Sequence, residues 1–161
     1  MRLYFFRHGL AEANEDGALA DSERQLTSRG VIRTEKAARF LDALGVRPGT
    51  LYSSPLVRAR QTAEILGEQL RLTVKIVPEL APGFDINALE QLCAGLGEDE
   101  GVMLVGHEPD FSSTLSTLTG LGRVVMKKGG LARVDVLTGL PMRGHLVWLL
   151  TPKVMDLRVR K

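Results

Sequence analysis

Leu3-Tyr4-Phe5-Phe6-Arg7-His8-Gly9 decides the fold, because an unbroken apolar run ends abruptly in a cation, an imidazole and a glycine. The run does not alternate with polar residues, so both of its faces are predicted to be buried, as in the middle of an α/β sheet. A second run, Val102-Met103-Leu104-Val105, ends in the same manner in Gly106-His107. The chain has three histidines, and two of them stand where a buried strand passes into a loop. Ligands of open α/β sheets bind outside the carboxyl ends of the strands. Two strand-end histidines, one preceded by arginine, therefore mark a candidate site for attack on an anion.

Outward from these runs the pattern alternates between strand and helix. Thr27 is placed to cap a helix whose apolar stripe includes Ala37, Leu41 and Leu44, and Gly45 followed by Pro48 ends it. Leu51-Tyr52-Ser53 is predicted as a short strand. Ser54 as N-cap and Pro55 at the first helical position open the next helix, with a stripe of Ala59, Ala63, Leu66 and Leu70. Thr73 to Val77 reads as a strand near an edge, since Lys75 interrupts it. Pro78 to Phe84 is a loop, and Asp85 caps a helix running to about Leu96.

Val102 to Val105 is predicted as a central strand, and Glu108-Pro109 opens a helix carrying Phe111, Leu115 and Leu118. Leu131 to Leu137 and His145 to Leu150 read as two strands joined by a turn over Thr138 to Gly144, an antiparallel addition. The expected fold is α/β, a three-layer sandwich with a mixed, mostly parallel sheet and helices on both faces.

A chain of 161 residues is expected to form one domain, residues 1–155, followed by a basic tail, residues 156–161. The net charge of +2 is too small to argue for a nucleic-acid or membrane partner. Cys93 is the one cysteine, so it has no internal disulfide partner; its apolar helical neighbours Leu89, Leu92 and Leu96 suggest burial in a reducing compartment. The Leu3–Phe6 run is too short for the apolar region of a signal peptide, and no apolar stretch has the length of a membrane span. The expected location is cytoplasmic.

Gly9 is expected to let the backbone turn sharply and approach a ligand closely. Arg58 lies in the first turn of the Ser54-Pro55 helix, and its side chain leans back toward the helix start, where free N–H groups favour an anion. Each of these residues also has a structural reading: a hydrogen-bonded strand-end histidine for His8, and ion pairs for Arg7 and Arg58. Lys127-Lys128-Gly129-Gly130 fits either a plain solvated turn, the reading with more weight, or the rim of the site mouth facing an acidic partner. His145 begins a strand and reads as structural.

Arg7-His8-Gly9, the segment Ser53-Ser54-Pro55-Leu56-Val57-Arg58-Ala59-Arg60-Gln61-Thr62, and the late Val105-Gly106-His107 together resemble the histidine phosphatase superfamily, which includes the phosphoglycerate mutases. The short length, Arg24 followed by Leu26-Thr27, and the Pro78-Glu79-Leu80-Ala81-Pro82 loop resemble its SixA-type branch of phosphohistidine phosphatases. The resemblance implies a phosphoglycerate mutase-like fold and a covalent phosphohistidine formed on His8. Arg7, Arg58 and His107 would hold the phosphoryl oxygens and, as positive charges, disfavour protonation of His8.

It further implies that Arg24 reaches the substrate or phosphate, against the alternative of a solvated arginine beside Asp21 and Glu23. Glu79 is the candidate general acid, although the glycine-and-aromatic pattern that usually follows that glutamate is missing. No metal or other cofactor is implied. The expected partner is a phosphorylated protein, a histidine phosphotransfer domain of a signalling kinase. The alternatives are a small phosphomonoester as substrate, or a non-catalytic phosphate-binding module.

Overall fold

The computed structural model describes residues 1–14, 17, 20–137 and 139–156. Of the predicted features, residue 138 of the turn and residues 157–161 of the basic tail lie outside the described residues. The elements run β1 (Arg2–Arg7), α1 (Ser28–Ala43), β2 (Thr50–Ser53), α2 (Val57–Leu70), β3 (Val74–Ile76), α3 (Ile86–Cys93), β4 (Gly101–Gly106), α4 (Asp110–Thr119), β5 (Leu131–Leu137), β6 (Arg143–Leu150) and α5 (Pro152–Met155). One six-stranded sheet has the order β3-β2-β4-β1-β5-β6. β1, β2, β3 and β4 pair in parallel, while β5 and β6 join antiparallel beside β1.

The unbroken apolar runs are at the centre of this sheet, as their lack of alternation predicts. Leu3, Phe5, Val102 and Leu104 pack on one face with Leu89 of α3 and Phe111 and Leu115 of α4. Tyr4, Phe6, Met103 and Val105 face the other way, against Leu41 of α1 and Ala63 and Leu66 of α2. Successive side chains thus serve two cores, and helices cover both faces. β3 is at the edge, where the exposed side chain of Lys75 is tolerated.

Thr27 caps α1 by accepting the Gly30 N–H, and Asp85 caps α3 by accepting the Ala88 N–H. Four local expectations need correction. Leu44 is 53% exposed, because α1 ends at Ala43 and Leu44 is already turning into Gly45, whose φ is +76°. α3 stops at Cys93 rather than Leu96, since Gly95 takes a left-handed conformation. Ser54 is not the N-cap of α2, which begins at Val57 after Leu56. Gly9 has no positive φ. A Cβ there would lie 2.8 Å from Thr34 Oγ1 and 3.2 Å from Leu26 Cδ2, so the glycine admits close passage of α1.

Cys93 is buried, and burial pushes its thiol up to about 11. Among the described residues no helix is long and apolar enough to cross a membrane.

Candidate active site

Three parallel strands end side by side, and this brings distant residues together. The β1–β4 register sets Arg7 opposite Gly106, and the β2–β4 register sets Ser53 opposite Val105. The next residue of each strand continues the pairing: His8 N–H donates to the Gly106 carbonyl at 3.0 Å, and Ser54 N–H to the Val105 carbonyl at 3.0 Å. His8, Ser54 and His107 therefore share one sheet end. Gly106 is required there, because a Cβ would meet the Phe111 ring at 2.6 Å.

His8 is buried, with Nδ1 2.8 Å from the Gly9 carbonyl oxygen. A carbonyl only accepts, so Nδ1 carries the proton and Nε2 keeps its lone pair. That Nε2 accepts from Arg58 Nε–H at 3.2 Å. Burial is the main cause that pushes the His8 ring down to about 3, with smaller contributions from His107, Arg58 and Arg7. Desolvation, more than the neighbouring cations, keeps His8 unprotonated.

His107 is buried with its ring 5.1 Å from that of His8. Burial also lowers this ring, to about 4, with Arg58 contributing, so at neutral pH it is not one of the site's cations. Its Nε2 lies 2.7 Å from Ser54 Oγ, while that Oγ accepts the Leu56 N–H at 3.3 Å. Ser54 Oγ can donate to Nε2 or accept from it, and when it donates, Nδ1 of His107 carries the ring proton. Nδ1 is buried and has no hydrogen-bond partner among the described residues. Arg7 anchors Nη1 on the Met126 carbonyl at 2.7 Å, while its Nε is likewise buried and unpartnered. Buried donors normally find acceptors. Arg7 Nε–H, joined by His107 Nδ1–H in the tautomer that accepts from Ser54, makes a ready place beside a neutral histidine for an anion's oxygens.

Comparisons with known proteins identify the family. The family model described as histidine phosphatase superfamily (branch 1) matches residues 3–82. The phosphohistidine phosphatase SixA of Escherichia coli is 30% identical over 113 residues, 68% of each chain. The chain belongs to the histidine phosphatase superfamily. Its SixA-type branch is indicated also by a solved structure, the protein histidine phosphatase SixA complexed with tungstate. That structure aligns with a TM-score of 0.84 and 26% identity over 96% of this chain and 99% of the other. An uncharacterized protein of Picosynechococcus sp. is 43% identical over 116 residues, 69% of this chain and 68% of that protein.

In this histidine phosphatase the matched segment includes Arg7, His8 and Arg58 but stops before His107. The structure brings all four together. It treats Arg24 and Glu79 differently. Arg24 makes an ion pair with Asp21 at 2.7 Å and donates to the Glu12 carbonyl, so among the described residues it meets the site only through Asp21. Glu79 is exposed in a short 3-10 turn, Pro78–Leu80, and among the described residues it has no hydrogen bond or ion pair. Among the described residues no group of three or more His, Cys, Asp or Glu side chains is placed to hold a metal ion.

Several site residues escaped sequence reading. Besides Ser54, Thr62 accepts the Gly9 N–H at 3.1 Å and donates to the Arg58 carbonyl at 2.7 Å, tying the His8 loop to α2. Gln61 accepts the Leu26 N–H at 2.7 Å. Their position beside Arg58 was the available signal. Glu108, next to His107, acts electrostatically on Arg7 and has a buried, unpartnered Oε1.

Asp21 takes the fork of Arg58. Arg58 Nη2 lies 2.9 Å from Asp21 Oδ2, and Nη1 donates to the Asp21 carbonyl at 2.6 Å. Partial burial works against the Asp21 charge, but hydrogen bonds from Arg58 and Arg24 outweigh it and hold the carboxyl below the usual carboxylate range. The Asp21 side chain is 61% exposed, so an anion can displace it. Asp21→Asn, which weakens a charge pair of modest strength, is expected to tighten binding of inorganic phosphate about two- to fivefold. Titration calorimetry checks this; unchanged or weaker binding means that Asp21 orients Arg58 rather than competing with phosphate.

The depressed histidines also link stability to pH. Both rings are neutral when folded and titrate near 6.5 when unfolded, so below that pH the unfolded chain binds more protons. Their contribution to stability is complete above pH 6.5 and is lost as the pH falls toward about 4 and then about 3. Thermal melting between pH 8 and pH 4 is expected to show Tm falling on the acid side. A His8→Asn/His107→Asn variant should show a shallower fall, and an equal slope in both proteins would contradict this.

Proposed function

We propose that this protein is a metal-independent phosphatase that removes phosphate from phosphohistidine on another protein through a covalent phosphohistidine on His8. The observation that carries the reading is the polarity of the His8 ring. Its Nδ1–H is held by the Gly9 carbonyl, and its lone-pair nitrogen faces the donor side of Arg58. A neutral imidazole with one unprotonated nitrogen is a competent nucleophile at neutral pH once Arg58 Nε–H releases that lone pair.

In the first step Nε2 bonds to phosphorus and the bond from phosphorus to the leaving nitrogen breaks. The leaving imidazole retains that electron pair and takes up a proton. In the second step water attacks phosphorus, the bond to Nε2 breaks, and inorganic phosphate departs. Arg7, Arg58 and His107 supply donors to the phosphoryl oxygens, and such positioning with charge stabilisation dominates phosphoryl transfer. Arg24 supports Arg58 through Asp21 until substrate enters. Residues 1–155 form the single domain that carries this site, in a cytoplasmic setting. The substrate class is supported by the likeness to the E. coli relative SixA, a phosphohistidine phosphatase.

Glu108 exchanges the proton in preference to Glu79, because its oxygen is buried within electrostatic reach of Arg7. Glu108→Gln is expected to lower kcat on an alkyl phosphate, a poor leaving group, by on the order of 10²-fold, with Glu79→Gln nearly unchanged. Steady-state rates that fall for Glu79→Gln instead would return the role to the exposed residue.

The reading as a whole is tested by hydrolysis of a phosphohistidine peptide and of p-nitrophenyl phosphate in EDTA. Activity with preference for the peptide supports it. Preference for small esters makes the protein a small-molecule phosphatase, and phosphate binding without turnover makes it a binding module.

A further inference from the structure

Among the described residues two clefts rich in charged side chains bear comparison, and Arg7 of the candidate site lines the smaller of them. The larger, about 790 Å³, lies between α1 and α2 and mixes both signs of charge. Arg47 pairs there with Asp42 at 2.8 Å, and Arg39 approaches Glu35 at 3.9 Å, so its charges largely answer one another. The second, about 530 Å³, is lined by Arg7, Arg33, Lys127, Lys128 and Lys153, with Asp156 as the one acid among the described lining residues. Asp156 is engaged by Lys36 at 2.5 Å. Among the described lining residues, the cleft is left strongly cationic.

The lysine turn is built into the site rather than hung beside it. Gly129 N–H donates to the carbonyls of both Arg7 and His8, and Arg7 N–H donates to the Gly130 carbonyl, each at 3.0 Å. The Arg7 guanidinium itself reaches back to Met126, one residue before Lys127. Four contacts thus lock Lys127 and Lys128 to the strand that presents His8. Arg7 belongs both to the candidate site and to the cleft wall.

We propose that this cleft is the docking site for an acidic segment of the substrate protein beside its phosphorylated residue, an assignment that rests on the phosphohistidine phosphatase reading. The cations come from four separate elements: Arg7 on β1, Arg33 on α1, the 127–128 turn, and Lys153 on α5. Lys127, Lys128 and Lys153 are exposed on flexible stems and act as point charges. Dispersed charges of this kind match several carboxylates spread along a chain. A second phosphate would instead call for convergent forks. The apolar floor from Leu10 and Pro152 offers contact area to side chains between those carboxylates.

The test uses two synthetic phosphohistidine peptides, one flanked by Asp and Glu and the other by Lys, with wild type and a Lys127→Gln/Lys128→Gln/Lys153→Gln variant. The readout is the ratio of kcat/KM for the acidic over the basic peptide on each protein, which cancels any general loss of activity. Wild type is expected to favour the acidic peptide about tenfold through KM, less so as salt rises, and the variant to lose most of that preference. A ratio near one in wild type, or one unaltered in the variant, overturns the proposal.

If neither phosphopeptide is hydrolysed, the phosphatase reading fails by itself, and fluorescence anisotropy of the unphosphorylated acidic peptide decides the cleft. Binding that the triple variant weakens upholds the docking site, and absence of binding removes it. Pyrophosphate binding lost in the variant, without peptide discrimination in wild type, would overturn the proposal in favour of a second-phosphate subsite.

Discussion

His8→Ala is expected to eliminate phosphatase turnover, by at least about 10⁴-fold, because the proposed covalent intermediate forms on the His8 ring. The ring is buried and neutral, and its Nδ1–H is tied to the Gly9 carbonyl, so its removal deletes the proposed nucleophile without stranding a charge. The variant should therefore fold, and its melting temperature checks that. Acid-labile, base-stable phosphoprotein should be trapped from wild type on rapid quenching and be missing from the variant. Residual activity above about 1% of wild type, or phosphoenzyme formed by the variant, would end the assignment of His8 as nucleophile.

Arg58→Ala is expected to lower kcat/KM by on the order of 10²–10³-fold, the scale seen when one preorganised donor to a developing charge is removed. Arg58 is buried along its length yet its fork is shared with an exposed carboxylate, so deletion leaves Asp21 to water rather than buried and unpaired. The loss should therefore appear in catalysis more than in stability. Arg58→Lys separates charge from geometry. Lysine keeps the cation but loses the planar fork and the Nε–H that now meets His8 Nε2. It is expected to recover less than about tenfold of the loss. A lysine variant close to wild type would mean that charge alone suffices, and an alanine variant within tenfold would remove Arg58 from the transition state.

The architecture was legible because its strongest signals are local. Leu3–Phe6 and Val102–Val105 are short, apolar on both sides and bounded by polar residues or glycine, which suits a central parallel strand. Thr27 and Asp85 have the chemistry of caps, and they cap. Leu44, Ser54 and the end of α3 were misplaced because each depends on where a helix meets its neighbours. Leu44 has the right spacing for the stripe, but the chain has already turned away at Gly45. Ser54 has the right chemistry for a cap, but α2 begins only at Val57, and its hydroxyl is shared between the Leu56 N–H and His107, 53 residues later.

The amino-acid sequence by itself determined the strand-ending histidines, the alternation that places them at one end of a parallel sheet, and the residues able to hold an anion. These follow from apolar run length, chirality of connection and side-chain chemistry, all local properties. Only the tertiary structure decided how those residues are set. The Gly9 carbonyl selects the tautomer of His8, and burial, more than neighbouring charge, keeps its ring neutral. Asp21, 37 residues from Arg58 in the chain, occupies the fork meant for an anion. The lysine turn is clamped to the His8 strand across more than a hundred residues. Desolvation and hydrogen-bond partnership depend on what folding brings within a few ångströms, and no spacing along the chain encodes that distance.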